Sequence, residues 1–226
     1  MTPSSTHVTT SDCPTRVDGS LEPRLSRWLW LVKWLLALPH VIVLAFLWVA
    51  LTALSVVAFV AIVATGRYPR AIFDFNVGVL RWSWRVSFYA YSALATDRYP
   101  PFTLADVPDY PARLDVVYPQ SLSRGLVLVK WVLALPQFLI VALLAGSLRS
   151  VLMLVAGVSL LFTGEYPRSV FDLAMGIDRW VYRVVAYAGL MTDVYPPFRL
   201  DSGGEDSSAD VSAADAIVAR PTAGLS

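Results

Sequence analysis

Two matching series of acidic, small and basic residues recur along the chain at the spacing of an α-helix. The first series is Asp74, Gly78, Arg81 and Arg85, and the second is Asp172, Gly176, Arg179 and Arg183. At about 3.6 residues per turn, the members of each series fall along one side of a helix. Such charges can form ion pairs, contact phosphate groups or line a polar path, so these two polar stripes are the first candidates for a functional site.

Catalytic and metal-binding chemistry has weaker support. His40 has no cysteine, histidine or carboxylate near it at ligand spacing, and Cys13 is the only cysteine, so we expect neither a metal site nor a cofactor. Asp97 and Asp193 lie just before a Y-P-P-F sequence, where carboxylates usually form turns. The patterns of a nucleophile elbow, a P-loop and a G-x-G-x-x-G turn are absent from the sequence. We therefore predict no catalytic residues and a protein that is not an enzyme.

The composition is that of a membrane protein. Of the 226 residues, 56% are hydrophobic and only 15% are charged, and the mean hydropathy is +0.57. Soluble domains usually carry about a quarter of charged residues, so the excess apolar surface is expected to face lipid. The net charge of +1 gives no support to a nucleic-acid partner.

The chain is a tandem repeat with a period of about 97 residues. PTRVDGSLEPRLSRWLWLVKWLLALPH, from Pro14, aligns with PARLDVVYPQSLSRGLVLVKWVLALPQ, from Pro111. TGRYPRAIFDF and TDRYPPFTL of the first copy then align with TGEYPRSVFDL and TDVYPPFRL of the second. We divide the chain into a polar tail (1–13), repeat 1 (14–110), repeat 2 (111–200) and an acidic tail rich in Ser and Ala (201–226), and expect both tails to be disordered.

Each repeat begins with a long apolar stretch. The run from Trp28 to Thr65 has 38 residues and would be about 57 Å long as one helix, against a hydrocarbon core of about 30 Å. Because proline disfavours helix, Pro39 is expected to divide it into an interfacial helix, Pro23 to Leu38, and a span from His40 to Ala64. Pro136 is expected to divide the second copy in the same way, with a span from 137 to 162.

A tight turn then reverses the chain in each copy. Glycine provides the positive φ that ends a helix, and proline suits the first turn of the next. The turn residues are Gly66, Tyr68 and Pro69 in repeat 1 and Gly164, Tyr166 and Pro167 in repeat 2. Returning helices over 69–96 and 167–192 carry the polar stripes. The predicted fold is an all-α membrane protein with two tandem repeats, each an interfacial helix plus a two-helix transmembrane hairpin, giving four spans in total.

The distribution of basic residues predicts the orientation. Lysine and arginine are more frequent beside the chain termini than at the hairpin turns, so both termini are expected to be cytoplasmic. An even number of spans in each copy would place the two copies in parallel, related by an axis along the membrane normal.

Three interpretations of the polar stripes stay open. In the first, the acidic residue of each stripe pairs with an arginine of the other, and the glycines allow the helices to approach closely. In the second, the returning helices lie in the interface with their arginines on lipid phosphates. In the third, a polar path or substrate site lies between the repeats. The pairs expected from the first interpretation are Asp74 with Arg179 or Arg183, and Asp172 with Arg81 or Arg85.

Repeat 2 carries one charge pair of its own. Arg149 interrupts its apolar run where repeat 1 has Leu51 or Thr52, and Asp178 replaces Leu80. Folding the second hairpin about its turn brings Arg149 and Asp178 to within about one helical turn of depth. We therefore predict a contact between these two side chains inside the membrane.

The blocks TGRYPR, FDFNVGVLRW, RVSFY and TDRYPPFTL, with TGEYPR, FDLAMGIDRW and TDVYPPFRL in the second copy, resemble a bacterial membrane family, domain of unknown function 4389. The resemblance covers nearly everything between the tails. It implies a protein of the bacterial inner membrane, and it brings no activity or catalytic residue with it.

The leading functional hypothesis is a non-enzymatic accessory or scaffold protein that binds membrane lipids, another membrane protein or a second copy of itself. A small transporter or channel component with a polar path between the repeats is the first alternative. A membrane enzyme that acts on a lipid-linked substrate through Asp97 or Asp193 is the second.

Overall fold

The computed structural model describes residues 14–197 and Leu200, and both predicted tails lie outside this part of the chain. The described chain is mostly helical, with one small sheet. The elements in chain order are β1 (Thr15–Gly19), α1 (Trp30–Leu36), α2 (Leu38–Thr65), α3 (Arg70–Val86) with a π-helical turn (Ser87–Tyr91), β2 (Ala112–Val116), α4 (Arg124–Leu143) with a π-helical turn (Leu144–Leu148), α5 (Arg149–Thr163) and α6 (Arg168–Ala188).

The sheet corrects the all-α prediction. β1 and β2 pair antiparallel, with Val17 opposite Leu114. Their side chains alternate between buried and exposed positions along each strand, which is the pattern of a sheet with one covered face. The alternation is visible in the sequences T-R-V-D-G and A-R-L-D-V. It does not predict the sheet, because each strand has only five residues and its partner belongs to the other repeat.

The turn prediction is confirmed in both repeats. Gly66 and Gly164 have φ angles of 73° and 75°, and each ends its helix in the left-handed conformation. Tyr68 donates a hydrogen bond to the carbonyl of Gly189, and Tyr166 donates one to the carbonyl of Ala93. Each turn tyrosine therefore ties its own repeat to the end of the returning helix in the other.

Prolines and helix ends differ from the prediction. Pro39 lies in the first turn of α2, but Pro136 lies inside α4, so repeat 2 has no separate interfacial helix. Proline lacks a backbone N–H, so α4 continues past Pro136 with one helical hydrogen bond missing. The returning helices are shorter than 69–96 and 167–192, because Leu94 and Leu190 just beyond them have positive φ angles of 51° and 63°.

The elements form three layers, with α3 and α6 in the middle. On one side of α3, Trp48 of α2 donates to the Ser83 hydroxyl at 3.0 Å. On the opposite side, Arg81 donates to the carbonyl of Leu114 in β2 at 2.9 Å. In α6, Arg179 likewise donates to Val17 of β1 at 3.2 Å. The long apolar helices form one outer layer, and the sheet belongs to the other.

The long helices of the two repeats run antiparallel. The end of α2 meets the start of repeat 2, where Phe59 stacks on Trp131 with ring centroids 5.4 Å apart. The end of α5 meets the start of repeat 1, where Trp30 packs against Gly157. Spans related by an axis along the membrane normal would run in the same direction, so the prediction of parallel spans is wrong.

Two stretches of the described chain are long and apolar enough to cross a membrane: Leu38–Thr65 and Arg124–Thr163. Length and composition alone make this weak evidence for membrane association. The four predicted spans are not confirmed, because α3 and α6 do not meet the same criteria. Both are amphipathic, with most of their charged residues on one side.

Candidate functional site

The stripe carboxylates do not pair as the first interpretation predicts. Asp74 is exposed and lies 3.3 Å from Arg70, one turn earlier in α3. Arg81 lies 2.6 Å from Asp115 at the edge of the sheet, and Asp172 is exposed on α6. The predicted pairs across the repeats are therefore wrong, because each stripe faces the sheet and the extended segments rather than the other stripe.

The buried ends of the stripes are covered by backbone. Arg85 is buried and donates to the carbonyl of Thr103, and Arg183 is buried at the corresponding position of α6. A Cβ atom on Gly78 would lie 3.0 Å from the carbonyl oxygen of Leu104. The same atom on Gly176 would lie 2.7 Å from that of Leu200. The glycines thus allow close approach of the extended segments, not of helices as predicted.

A buried lysine at the start of each repeat binds the aspartate of the T-D-x-Y-P-P-F segment. Lys33 Nζ lies 2.9 Å from Asp97 Oδ1 and 2.7 Å from the carbonyl oxygen of Thr96. Asp97 also accepts the backbone N–H of Ser26 at 2.5 Å. Burial lowers the pKa of Lys33, while the hydrogen bond and the charge of Asp97 oppose that shift.

Repeat 2 reproduces this arrangement. Lys130 Nζ lies 2.6 Å from Asp193 Oδ1 and 2.8 Å from the carbonyl oxygen of Thr192, and Asp193 accepts the N–H of Ser123 at 2.7 Å. Sequence reasoning missed both lysines as partners. The available signal was that K-W-x-L-A-L-P and T-D-x-Y-P-P-F both occur twice, in the same order. The geometry gives Asp97 and Asp193 a structural role: each joins the segment after a returning helix to the start of its own repeat.

Arg149 and Asp178 are in contact, as the sequence predicts. Arg149 Nη1 lies 3.3 Å from Asp178 Oδ1. Arg149 also donates to the Ser87 hydroxyl at 2.9 Å and to the Tyr91 carbonyl at 3.2 Å, and Ser92 donates to Asp178. Ser87, Tyr91 and Ser92 belong to the end of the returning helix of repeat 1. The pair of repeat 2 therefore forms a polar joint between the repeats.

Burial dominates the electrostatics of this joint. The Asp178 carboxyl is fully buried, and burial raises its pKa to about 7, while the positive charge of Arg149 opposes the shift. The Arg149 side chain keeps 20% of its surface exposed. The guanidinium of Arg149 is thus partly accessible, while the Asp178 carboxyl beside it is shielded from solvent.

An open cavity of about 700 Å³ lies beside Arg149, between α2, the end of α3 and α6. Apart from Arg149 its walls are mostly aliphatic and aromatic, with hydroxyl groups at Ser83 and Ser87. Its volume falls in the range of about 300 to 1,000 Å³ that is typical of ligand sites. The wall residues used below are Val41, Ala45 and Trp48 from α2, and Val181 and Val185 from α6.

Among residues 14–197 and Leu200, no group of three or more His, Cys, Asp or Glu side chains is placed to hold a metal ion. His40 is buried, stacks on Phe102 with ring centroids 3.8 Å apart, and accepts a hydrogen bond from Trp82 Nε1 at 3.1 Å. Its contacts are those of a packed core residue.

The fold and the joint define a class of two-repeat, mostly helical proteins in which α2, α4 and α5 form an exposed apolar layer on one side. Within that class, the chain belongs to the family Domain of unknown function (DUF4389), whose model matches residues 27–103 and 124–199. The two matched regions agree with the two copies predicted from the sequence. No curated protein and no solved structure matches the chain significantly.

Proposed function

We propose that this chain is a non-enzymatic protein of the bacterial inner membrane that holds a membrane lipid in the cavity beside Arg149. The observation that carries the proposal is the mostly apolar cavity of about 700 Å³ with a single guanidinium in its wall. Apolar walls with a few placed polar groups suit an amphiphile better than a polar solute.

The chemistry of the wall assigns the two ends of such a lipid. Its hydrocarbon chain packs between Val41 and Trp48 of α2 and Val181 and Val185 of α6. Its polar end reaches Arg149, which uses three of its five N–H donors on Asp178, Ser87 and the Tyr91 carbonyl. A headgroup oxygen can accept the donors that remain.

The other candidate functions have less support. The polar stripes, which a solute path would need, are covered by the sheet and by the segments around Thr103 and Leu104. Asp97 and Asp193, which a membrane enzyme would need, are engaged by buried lysines. The location in the inner membrane rests on the resemblance of both copies to a bacterial membrane family.

Two matched substitutions on α2 test the proposal. Both alanines are exposed on α2, but Ala45 lines the cavity and Ala53 lies outside its wall. We expect Ala45→Phe to place an aromatic ring in the path of the lipid chain and to reduce lipid retention, while Ala53→Phe only adds apolar surface. Each protein is purified in mild detergent, and retained lipid is measured by mass spectrometry per mole of protein.

The expected result is near-stoichiometric lipid on the wild type and on Ala53→Phe, and at least a five-fold loss on Ala45→Phe. Equal lipid content in all three proteins would overturn the proposal. Thermal unfolding of each variant shows whether a loss of lipid reflects the cavity or a loss of folding.

A further inference from the structure

Exposed apolar side chains are concentrated on one layer of the molecule. In α2, Phe46, Val49 and Val60 are 74%, 70% and 62% exposed. In the layer formed by α4 and α5, Leu139 and Phe162 are 74% and 78% exposed. Soluble proteins rarely leave a continuous surface of this kind uncovered, so it is an interaction surface.

This layer has almost no charge of its own. α2 contains no Asp, Glu, Lys or Arg, and Arg149 is the only one of these residues between Trp131 and Thr163. Arg149 turns inward, to Asp178 and to the end of the returning helix of repeat 1. The outer surface of the layer is therefore suited to hydrocarbon.

The opposite face of the molecule is charged. The exposed positions of the sheet are Arg16 and Asp18 on β1 and Arg113 and Asp115 on β2. Strand β2 packs on α3, and Arg81 of α3 holds both its Leu114 carbonyl and Asp115.

The position of the sheet along α2 decides how the molecule can lie in a membrane. α3 runs beside α2, with Asn76 near Ser55 and Trp82 near His40. The sheet covers the other side of this part of α3, so it lies alongside α2 rather than beyond its end. If α2 crossed the bilayer upright, the sheet charges would lie at hydrocarbon depth, where charged residues are rare and costly.

Helix length points the same way. The two apolar stretches have 28 and 40 residues, about 42 Å and 60 Å as helices, against a hydrocarbon core of about 30 Å. The second is twice as long as an upright span requires. A helix that lies along the membrane plane has no such length limit.

From the three layers we infer that the protein lies in one leaflet of the membrane and does not cross it. α2 and the α4–α5 stretch run parallel to the membrane plane among the acyl chains of that leaflet. The amphipathic helices α3 and α6 lie at the level of the headgroups, and the charged sheet faces water. This arrangement concerns the outer apolar surface and does not depend on a lipid in the cavity.

Depth measurements along α2 distinguish the two orientations. Ile42, Val49 and Val60 are exposed on one side of α2 and cover about 27 Å of its length. Each is replaced singly by cysteine in a full-length Cys13→Ser background, labelled with a nitroxide and reconstituted into phosphatidylcholine–phosphatidylglycerol vesicles. Depth follows from the ratio of relaxation by oxygen and by a water-soluble nickel complex, and Asp18→Cys on the sheet is the aqueous control.

We expect the three α2 labels to have the same depth within about 5 Å, less than one helical turn, and the Asp18→Cys label to report water. An upright span of about 30 Å would place the label at position 49 about 10 Å deeper than the labels at 42 and 60, and that result would overturn the inference. Labels at Val132, Leu143 and Phe162, all exposed, repeat the test on α4 and α5. An in-plane stretch again gives equal depths, whereas an upright one would place the label at 143 deeper than the other two. Lipid content of the cavity does not enter these measurements, so the proposed function and the orientation can fail separately.

Discussion

Arg149 of α5 and Asp178 of α6 form an ion pair, with Nη1 and Oδ1 3.3 Å apart, at positions where repeat 1 has apolar or uncharged residues. The further hydrogen bonds of Arg149 reach Ser87 and Tyr91 of repeat 1. The pair that makes the repeats unequal is therefore also the joint that connects them.

A double-mutant cycle tests this joint. Arg149→Leu leaves the Asp178 carboxyl buried without its partner, and we expect it to lower the free energy of unfolding by about 3 kcal/mol at pH 8. Asp178→Leu is expected to cost less, because Arg149 is still partly exposed. The double change introduces leucine at both positions and should recover most of the loss. Denaturant unfolding in detergent provides the measurement, and losses that simply add in the double variant would contradict the coupling.

The raised pKa of Asp178 predicts a pH dependence of stability. The folded protein keeps this proton up to about pH 7, whereas the unfolded chain releases it near pH 4. The folded state therefore binds more protons within this window, and the contribution of Asp178 to stability falls as pH rises from about 4 to about 7.

Thermal unfolding of the wild type and of Asp178→Asn across this pH range isolates the effect. We expect the midpoint of the wild type to fall relative to Asp178→Asn between pH 4 and pH 7, and the difference to be constant above that range. Asp172→Asn on the exposed side of α6 is the control and should not change the slope. A difference that stays constant or rises between pH 4 and pH 7 would show that Asp178 is already ionised in the folded protein over this range.

The features that the sequence predicts correctly are local or follow from helix register. Gly66 and Pro69 determine a turn through their own backbone preferences. Once the turn of the second hairpin is known, counting residues back along each helix places Arg149 and Asp178 at the same level. The partners of the polar stripes could not be derived in this way. Arg81 bonds a strand from 33 residues further along, and the pairing of that strand with β1 spans both repeats.

The paired lysines predict equal effects in the two repeats. Lys33→Met and Lys130→Met each remove a buried ammonium group that binds an aspartate and a backbone carbonyl, so we expect a loss of about 2 kcal/mol for each. Arg113→Met breaks an exposed pair with Asp106 and should cost no more than about 1 kcal/mol. Unfolding in detergent measures all three. If the lysine variants lose no more stability than Arg113→Met, the lysine–aspartate pairs do not hold these segments together.

The stripe glycines predict a reversal of the usual helix propensity. Alanine normally stabilises a helix by up to about 1 kcal/mol over glycine, and Gly125→Ala in α4 should follow this rule because nothing lies within 4 Å of its added Cβ. In Gly78→Ala the new Cβ would lie 2.9 Å from the Leu104 Cβ and 3.0 Å from the Leu104 carbonyl oxygen. Backbone cannot move aside as a flexible side chain can, so we expect a loss of about 1 to 3 kcal/mol, measured as a lower midpoint of thermal unfolding. If Gly78→Ala and Gly125→Ala raise the midpoint alike, the segment at Leu104 does not pack against α3, and the coverage of the polar stripe by backbone would have to be abandoned.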